Sequence, residues 1–402
     1  MTSKHTGEDT MKRLLTLLLC LCLLTGAGLA EEEDLKAKYE NTAYLAAETL
    51  CRVGCDDLNK WGADRVVKRS SPAWDIITRF DGGWFSSVRS STYLDRRTEN
   101  WVRTSEKTIE CDVYFVNRIV FSIENTQVDF PCGFHLCFEQ ADARRDTWLL
   151  YDFHNLPVER DNEKAEKFSA QDDGITVYPV TGKSFRGFMM VIEDPSRVFV
   201  GTTNEFSRSM GGWRVDQLYK KYDAVAVING GAFEDSGGGG NGAIPAGYVI
   251  SQGVSKSPNA YNNSGCNVVM GFDEDNVLHV GKFTNDQLAK LKLRDAIAFN
   301  MILIADGQKT VISDKSINYS ARSAIGQDAE GRVLLFVAEG RSPDCYGASF
   351  RDLQDVMLEF GAVNAGNLDG GHSSAMFMAG ESVYSAYPLA VSRRMPAAFI
   401  VK

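Results

Sequence analysis

Histidine is scarce in this chain, with five in 402 residues, and none stands at a spacing that would complete a metal site with the cysteines. The pairs Cys51-x3-Cys55 and Cys132-x4-Cys137 therefore read as buried thiols or disulfide partners, and neither a metal nor another cofactor is expected. Basic charge is also in short supply. Lys and Arg number 43 against 53 Asp and Glu, for a net charge of −10, and no basic cluster is long enough to track a phosphate backbone. Nucleic acid is thereby excluded as an expected partner. Long apolar runs are missing too: the longest, at residues 14–24, falls short of the ~20 residues that span a bilayer. No repeat of fixed period occurs. What remains, 44% hydrophobic and 24% charged residues, is a globular composition at a length that suits two domains.

The N-terminus carries Lys12 and Arg13, then that apolar run, then small residues ending at Ala30 before an acidic stretch. These are the parts of a secretory signal, with an uncleaved membrane anchor as the alternative; either reading places the bulk of the chain in a secreted or extracytoplasmic location. Seven cysteines follow the signal, Cys51, Cys55, Cys111, Cys132, Cys137, Cys266 and Cys345, an odd number for a set of disulfides.

An amphipathic helix is expected over residues 34–53, with Leu35, Tyr39, Ala43, Ala46, Leu50 and Val53 on one face. Strand alternation follows at Ile109, Cys111, Val113 and Phe115, with more β-rich runs up to residue 153. A helix followed by a curved antiparallel sheet vaguely resembles a cystatin-like or NTF2-like module. The polar stretch 155–173 reads as a linker. Beyond residue 175, apolar strands alternate with glycine-rich turns and short helices. Thr284 and Gln287 form a capping box that opens a helix through Leu288, Leu291 and Ile297, and another runs from Ser349 as N-cap to Gly361 as its stop. The acidic run at 273–276 reads as a hairpin turn rather than a calcium loop, because the EF-hand spacing is absent. The fold class expected is α+β: a signal peptide at 1–30, an accessory α+β domain at 31–160, a linker at 161–174 and a larger mixed-sheet domain at 175–402.

Four segments of the larger domain set a polar or charged residue beside glycine, mostly at the end of an apolar strand. They are INGGAF at 228–233, ARSAIGQ at 321–327, VAEGR at 337–341 and NLDGGHSS at 367–374. At such positions backbone approaches a ligand closely and side chains converge. Together and in this order the segments resemble the phosphodiester glycosidase family, whose pattern runs NGGFF, PRTAIG, DGR, NLDGGGSS. The family includes an enzyme that removes N-acetylglucosamine from the mannose-6-phosphate marker of lysosomal enzymes, and many bacterial exopolysaccharide-associated proteins. The resemblance covers about residues 180–402. Here Ala321 replaces proline, Ser323 threonine, Glu339 aspartate and His372 the last glycine of the cluster. The first three changes keep the chemistry or only loosen the backbone, whereas His372 could alter substrate choice.

The resemblance implies hydrolysis of a sugar-1-phosphodiester in a glycan or cell-envelope polymer, and the residue types suit that chemistry. Arg322 and Arg341 are candidate phosphate holders, because a guanidinium fork binds two oxygens at once. Asp369 and Glu339 are the candidate catalytic carboxylates for oxocarbenium charge and a water. Asn229, Gly230, Gly370, Gly371, His372, Ser373 and Ser374 are candidate contacts to sugar hydroxyls or phosphate. Each also has an ordinary reading: Asp369 as a turn residue, Arg322 and Glu339 as a structural ion pair, Asn229 as a residue suited to left-handed backbone. The glycines at 237–240 read as a loop that could cover the site, and His135, His154 and His279 as surface or satisfied core residues. The competing functions are a non-catalytic glycan-binding module and an exopolysaccharide assembly protein.

Overall fold

The computed structural model describes residues 31–53, 63–80, 88–122, 125–235, 239–257, 266–386 and 392–402. The signal segment, Cys55 and two of the four glycines at 237–240 lie outside them. Residues 31–53 are helical (α1), and the stripe from Leu35 to Val53 is buried as its spacing predicts. A second helix, α2 (Pro72–Arg79), opens with Ser71 accepting from the Trp74 N–H at 3.1 Å. Both lie on a four-stranded meander of β1 (Val88–Ser105), β2 (Thr108–Phe121), β3 (Gln127–Asp142) and β4 (Thr147–Asn155). In β2 the alternating Ile109, Cys111, Val113 and Phe115 face the helices and are buried.

The expected linker is a helix. In α3 (Glu159–Ser169), Asp161, Ala165 and Phe168 are buried at helical spacing, Arg160 and Lys164 are half-buried, and Glu159, Glu163, Glu166 and Lys167 line the outer face. Ala165 and Phe168 belong to the same core as Phe188, Ile325 and Val337. Averaged composition hid this element, because three inward residues are enough to seat a helix whose other positions are polar.

Three antiparallel sheets follow. The central one has seven strands, β5 (Ile175–Thr181), β6 (Arg186–Ile192), β14 (Ile302–Ala305), β15 (Gln308–Lys309), β16 (Arg322–Asp328), β17 (Val333–Ala338) and β18 (Ala362–Asn367), in the order β15-β14-β18-β16-β17-β6-β5. A second comprises β7 (Val198–Thr202), β8 (Ala226–Asn229), β19 (Ala375–Met378), β20 (Glu381–Ser385) and β21 (Ala397–Val401), in the order β20-β19-β8-β21-β7. The third comprises β9 (Val249–Ser251), β10 (Val254–Ser255), β11 (Val268–Phe272), β12 (Leu278–Gly281) and β13 (Asp295–Phe299), in the order β10-β9-β13-β11-β12. Each turns one face into a shared interior holding Met190, Ile228, Met270, Ile325 and Phe399. Helices α4 (Val215–Tyr222), α5 (Asn285–Leu291) and α6 (Phe350–Glu359) cover outer faces. The class is α+β, as expected, with every pairing between these strands antiparallel in all three sheets.

Cap chemistry set the helix ends where the sequence placed two of them. Thr284 closes its capping box with Gln287, but α5 stops at Leu291 with Lys292 left-handed (φ 48°), so Ile297 lies on β13 instead. Ser349 caps α6, and Gly361 (φ 82°) follows its end. The acidic run at 273–276 is the turn between β11 and β12, closed by Asp273 N–H donating to the Val277 carbonyl at 3.1 Å. No helix among the described residues is long and apolar enough to cross a membrane.

Candidate functional site

Strand β16 sits between β17 and β18, with Arg322 opposite Ala338 and Ala324 opposite Asn367. Because all three pairings are antiparallel, the start of β16 lies beside the ends of its neighbours. Arg322, Glu339 and Asp369 thus gather at one end of the central sheet. Glu339 and Asp369 flank β16, which sets their backbones about two strand spacings, roughly 9.5 Å, apart.

The loop after β18 is tied down on both sides. Leu368 N–H donates to the Ser323 carbonyl at 2.8 Å, Gly371 N–H to the Ala321 carbonyl at 2.7 Å, and Asp369 N–H to the Gly230 carbonyl at 3.0 Å. Asn229, at the end of β8, completes the knot. Its Nδ2 donates to the Asp369 carbonyl at 2.8 Å, and its Oδ1 accepts from the Ser323 hydroxyl at 2.7 Å and the Ala375 N–H at 3.1 Å. Asn229 is fully buried with both ends of its amide engaged, which makes it a positioning residue and not the substrate contact expected from sequence. Gly230 is likewise structural: a Cβ there would lie 2.2 Å from the Ala397 carbonyl oxygen, so it serves the close approach of β21.

The two arginines meet over the double glycine. A Cβ on Gly370 would lie 3.3 Å from Arg322 Nη1, and one on Gly371 would lie 3.0 Å from Arg341 Nη2. Arg322 points to the α6 face of the sheet, its guanidinium 4.2 Å over the Phe350 ring, with Nε donating to the Ala348 carbonyl and Nη2 to Asn318 Oδ1 at 2.6 Å. Arg341 reaches the loop from a left-handed backbone (φ 59°), a conformation that costs a non-glycine residue roughly 1–2 kcal/mol. Strand β17 ends at Ala338, so Arg341 lies beyond it.

Asp369 is half-buried, and that desolvation raises its pKa to about 6, against the pull of Arg393 and the Gly370 N–H. The Ser373 hydroxyl sits beside the carboxyl without completing a hydrogen bond of normal geometry. Ser374 is fully buried, and its hydroxyl and that of Ser320 have no hydrogen-bond partner among the described residues. His372 has its pKa lowered to about 3, first by burial and then by Arg341 and Arg393. At neutral pH it is an uncharged ring, and it adds no positive charge to an anion site.

Glu339 occupies a different environment. By strand alternation it shares the interior face with Val337, opposite the face that Arg322 takes with Ala324, so the two form no ion pair. Burial raises its pKa, opposed chiefly by Arg160 of α3, whose Nη2 lies 3.7 Å from Glu339 Oε1. Arg160 also holds Asp161 at 2.7 Å. Asp161 in turn accepts at 3.0 Å from Arg186, which is fully buried and pairs with Asp344.

Sequence reasoning missed Arg160, Asp161 and Arg393. The first two fall in the supposed linker, where only the buried spacing of Asp161, Ala165 and Phe168 signalled a helix. Arg393 makes a bidentate pair with Asp235 at 2.5 and 2.7 Å and stacks on Phe233. Among the described residues no group of His, Cys, Asp and Glu is arranged to hold a metal ion. His135 and His279, read from sequence as surface or satisfied core residues, each face a carboxylate at 2.7 Å, Asp112 and Asp273 respectively.

The chain is similar to several known proteins. An uncharacterized prophage-derived protein, YomE, of Bacillus subtilis is 29% identical over 198 residues, which is 47% of this chain and 29% of that protein. Human N-acetylglucosamine-1-phosphodiester alpha-N-acetylglucosaminidase is 37% identical over 82 residues, covering 20% of this chain and 15% of the enzyme. The chain therefore spans less than a third of the length of either relative. Among solved structures, the catalytic domain of the zebrafish enzyme of that name aligns with 83% of this chain and 91% of its own, at 16% identity and a TM-score of 0.44. A hypothetical protein from Synechocystis aligns with 78% of this chain and 81% of its own, at 13% identity and the same score. Residues 222–402, which hold all four glycine-bearing motifs, match the family model of phosphodiester glycosidases. Over that stretch the chain is similar to phosphodiester glycosidases.

Proposed function

We propose that the protein is a secreted or extracytoplasmic hydrolase that cleaves the bond between a sugar anomeric carbon and a phosphodiester in a glycan or cell-envelope polymer. The observation that carries this reading is the convergence of Arg322 and Arg341 on Gly370 and Gly371, next to a half-buried Asp369 with a pKa of about 6. Two guanidinium forks over glycine backbone suit the non-bridging oxygens of one phosphate. The C1–O bond breaks with its electron pair leaving on the phosphate oxygen. That product is a stable phosphomonoester anion, so the reaction needs little help from an acid. Asp369, ionised above pH 6, faces the positive charge that develops on the ring and takes a proton from the water whose oxygen joins C1. One carboxylate suffices for this scheme. Glu339, held by Arg160 behind the sheet end, fixes the chain where it leaves β17 towards Arg341.

The test is release of sugar from synthetic sugar-1-phosphodiesters by purified protein, with several sugars and with and without chelator. Equimolar free sugar and phosphomonoester, lost in Asp369→Asn, supports the reading. Tight binding of every substrate without turnover would favour a recognition module.

A further inference from the structure

The segment that follows Glu339 and Arg341 is anchored both to the sheet that leads into it, through Arg186 and Asp344, and outside that sheet. Tyr346 is fully buried in the core formed by α1, α2 and the four-stranded meander. Its ring lies edge-on to Phe80 at 5.0 Å and tilted against Phe153 at 5.7 Å, and its hydroxyl donates to the Leu50 carbonyl of α1 at 2.7 Å. Two residues earlier, the Asp344 carbonyl accepts from Asn155 Nδ2 at 2.6 Å. Gly347 follows at φ 111°, where a Cβ would lie 2.3 Å from the backbone of Ser320. Ala348 then exchanges backbone hydrogen bonds with Ser320 at 2.9 and 3.4 Å. The partner segment is gripped from the same side, because Tyr319 N–H donates to the Arg79 carbonyl at 3.2 Å and Phe80 bridges to Tyr319. Both stretches that deliver the arginines, 318–322 and 340–349, are thus clasped by residues 50–155.

We propose that Tyr346 is a positioning residue through which the N-terminal helix–sheet module fixes the loop carrying Glu339 and Arg341, so that the module is a working part of the sugar-phosphate site. This rests on the reading of that site given above. The left-handed backbone of Arg341 makes such an anchor necessary: a strained residue persists only where its surroundings over-determine it. Strand β17 has ended three residues before, and the next regular element begins at Phe350. Between them the fixed points include Gly340, held by the Tyr384 hydroxyl, Asp344, paired with Arg186, Gly347, bonded to Ser184, and the contacts of Asp344, Tyr346 and Ala348 described above.

The experiment compares full-length wild type, Tyr346→Phe and Asn155→Ala by amide hydrogen exchange and by phosphodiester turnover. Tyr346→Phe keeps the ring in the aromatic cluster and removes the hydroxyl's bond to Leu50. The expected result is exchange at least tenfold faster across residues 340–347 with residues 333–338 unchanged, and kcat lowered at least tenfold while the thermal midpoint stays nearly constant. Asn155→Ala should act on the same segment. Unchanged exchange at 340–347 in both variants, or equal acceleration along the whole chain, overturns the proposal. A wild type that turns over no sugar-1-phosphodiester would fail the functional reading alone, because the exchange pattern still decides the anchoring role.

Discussion

Asp369 keeps its proton to about pH 6 because the fold takes its carboxyl out of water, and this has a measurable cost. Between the ordinary value of 3.8 and about 6, the folded chain holds a proton that the unfolded chain has released. Stability therefore falls as pH rises through that window, and the charged carboxylate is destabilising above it. Asp369→Asn should abolish turnover yet raise unfolding free energy, by on the order of 2 kcal/mol at ~pH 7.5 and by almost nothing at ~pH 3.5. Denaturant titrations at the two pH values check this. His372 has the opposite sign: its pKa falls from 6.5 to about 3, so its contribution is lost as pH drops through that range. The arginines make a separate prediction. Replacing Arg341 or Arg322 by Lys removes the planar fork, and each change should weaken binding of the phosphodiester by about 1.5–3 kcal/mol, roughly 10- to 150-fold. Isothermal titration with a non-hydrolysable analogue reads it. That Arg322, Arg341, Gly370 and Gly371 come together was legible, because each stands in a short motif at a strand end. The roles of Asn229 and Glu339 were not, since burial and sheet face decide them and neither shows in a local pattern.

At the scale of elements, β16 organises the site, because a central antiparallel strand brings the ends of both neighbours to its own start. Its tie to β8 runs through one side chain. Asn229→Ala would leave the Asp369 carbonyl, the Ser323 hydroxyl and the Ala375 N–H short of a partner in a buried place. Removing one partner from a buried hydrogen bond costs about 1–3 kcal/mol, so the variant should lose several kcal/mol and displace the Asp369 loop. Thermal unfolding and turnover, measured together, check both parts. Helix α3 shows why some structure stayed hidden. Its sequence is dominated by charge, yet Phe168 is fully buried in the main core, and Phe168→Ala should cost about 3–5 kcal/mol. The strands were easier to read. Fully buried β6 and β17 are short apolar runs, and β2 alternates with the period of a half-covered sheet.

The whole molecule departs furthest from a two-domain reading with a linker. A fragment of residues 174–402 would lack Ala165 and Phe168 from the shared core, Arg160 and Asp161 from the Glu339 cluster, and the pocket that receives Tyr346. It should be insoluble or molten, whereas a chain starting near residue 31 should fold. Sequence showed that the glycine-bearing motifs belong together but not that the N-terminal module reaches them, because the contact between Leu50 and Tyr346 spans 296 positions with no local signal. The most direct test of the account is turnover of a synthetic sugar-1-phosphodiester by the full chain and by Asp369→Asn, with free sugar and phosphomonoester both quantified. The account predicts equimolar release by the wild type and loss of at least a hundredfold in the variant. Equal rates in the two proteins would contradict it.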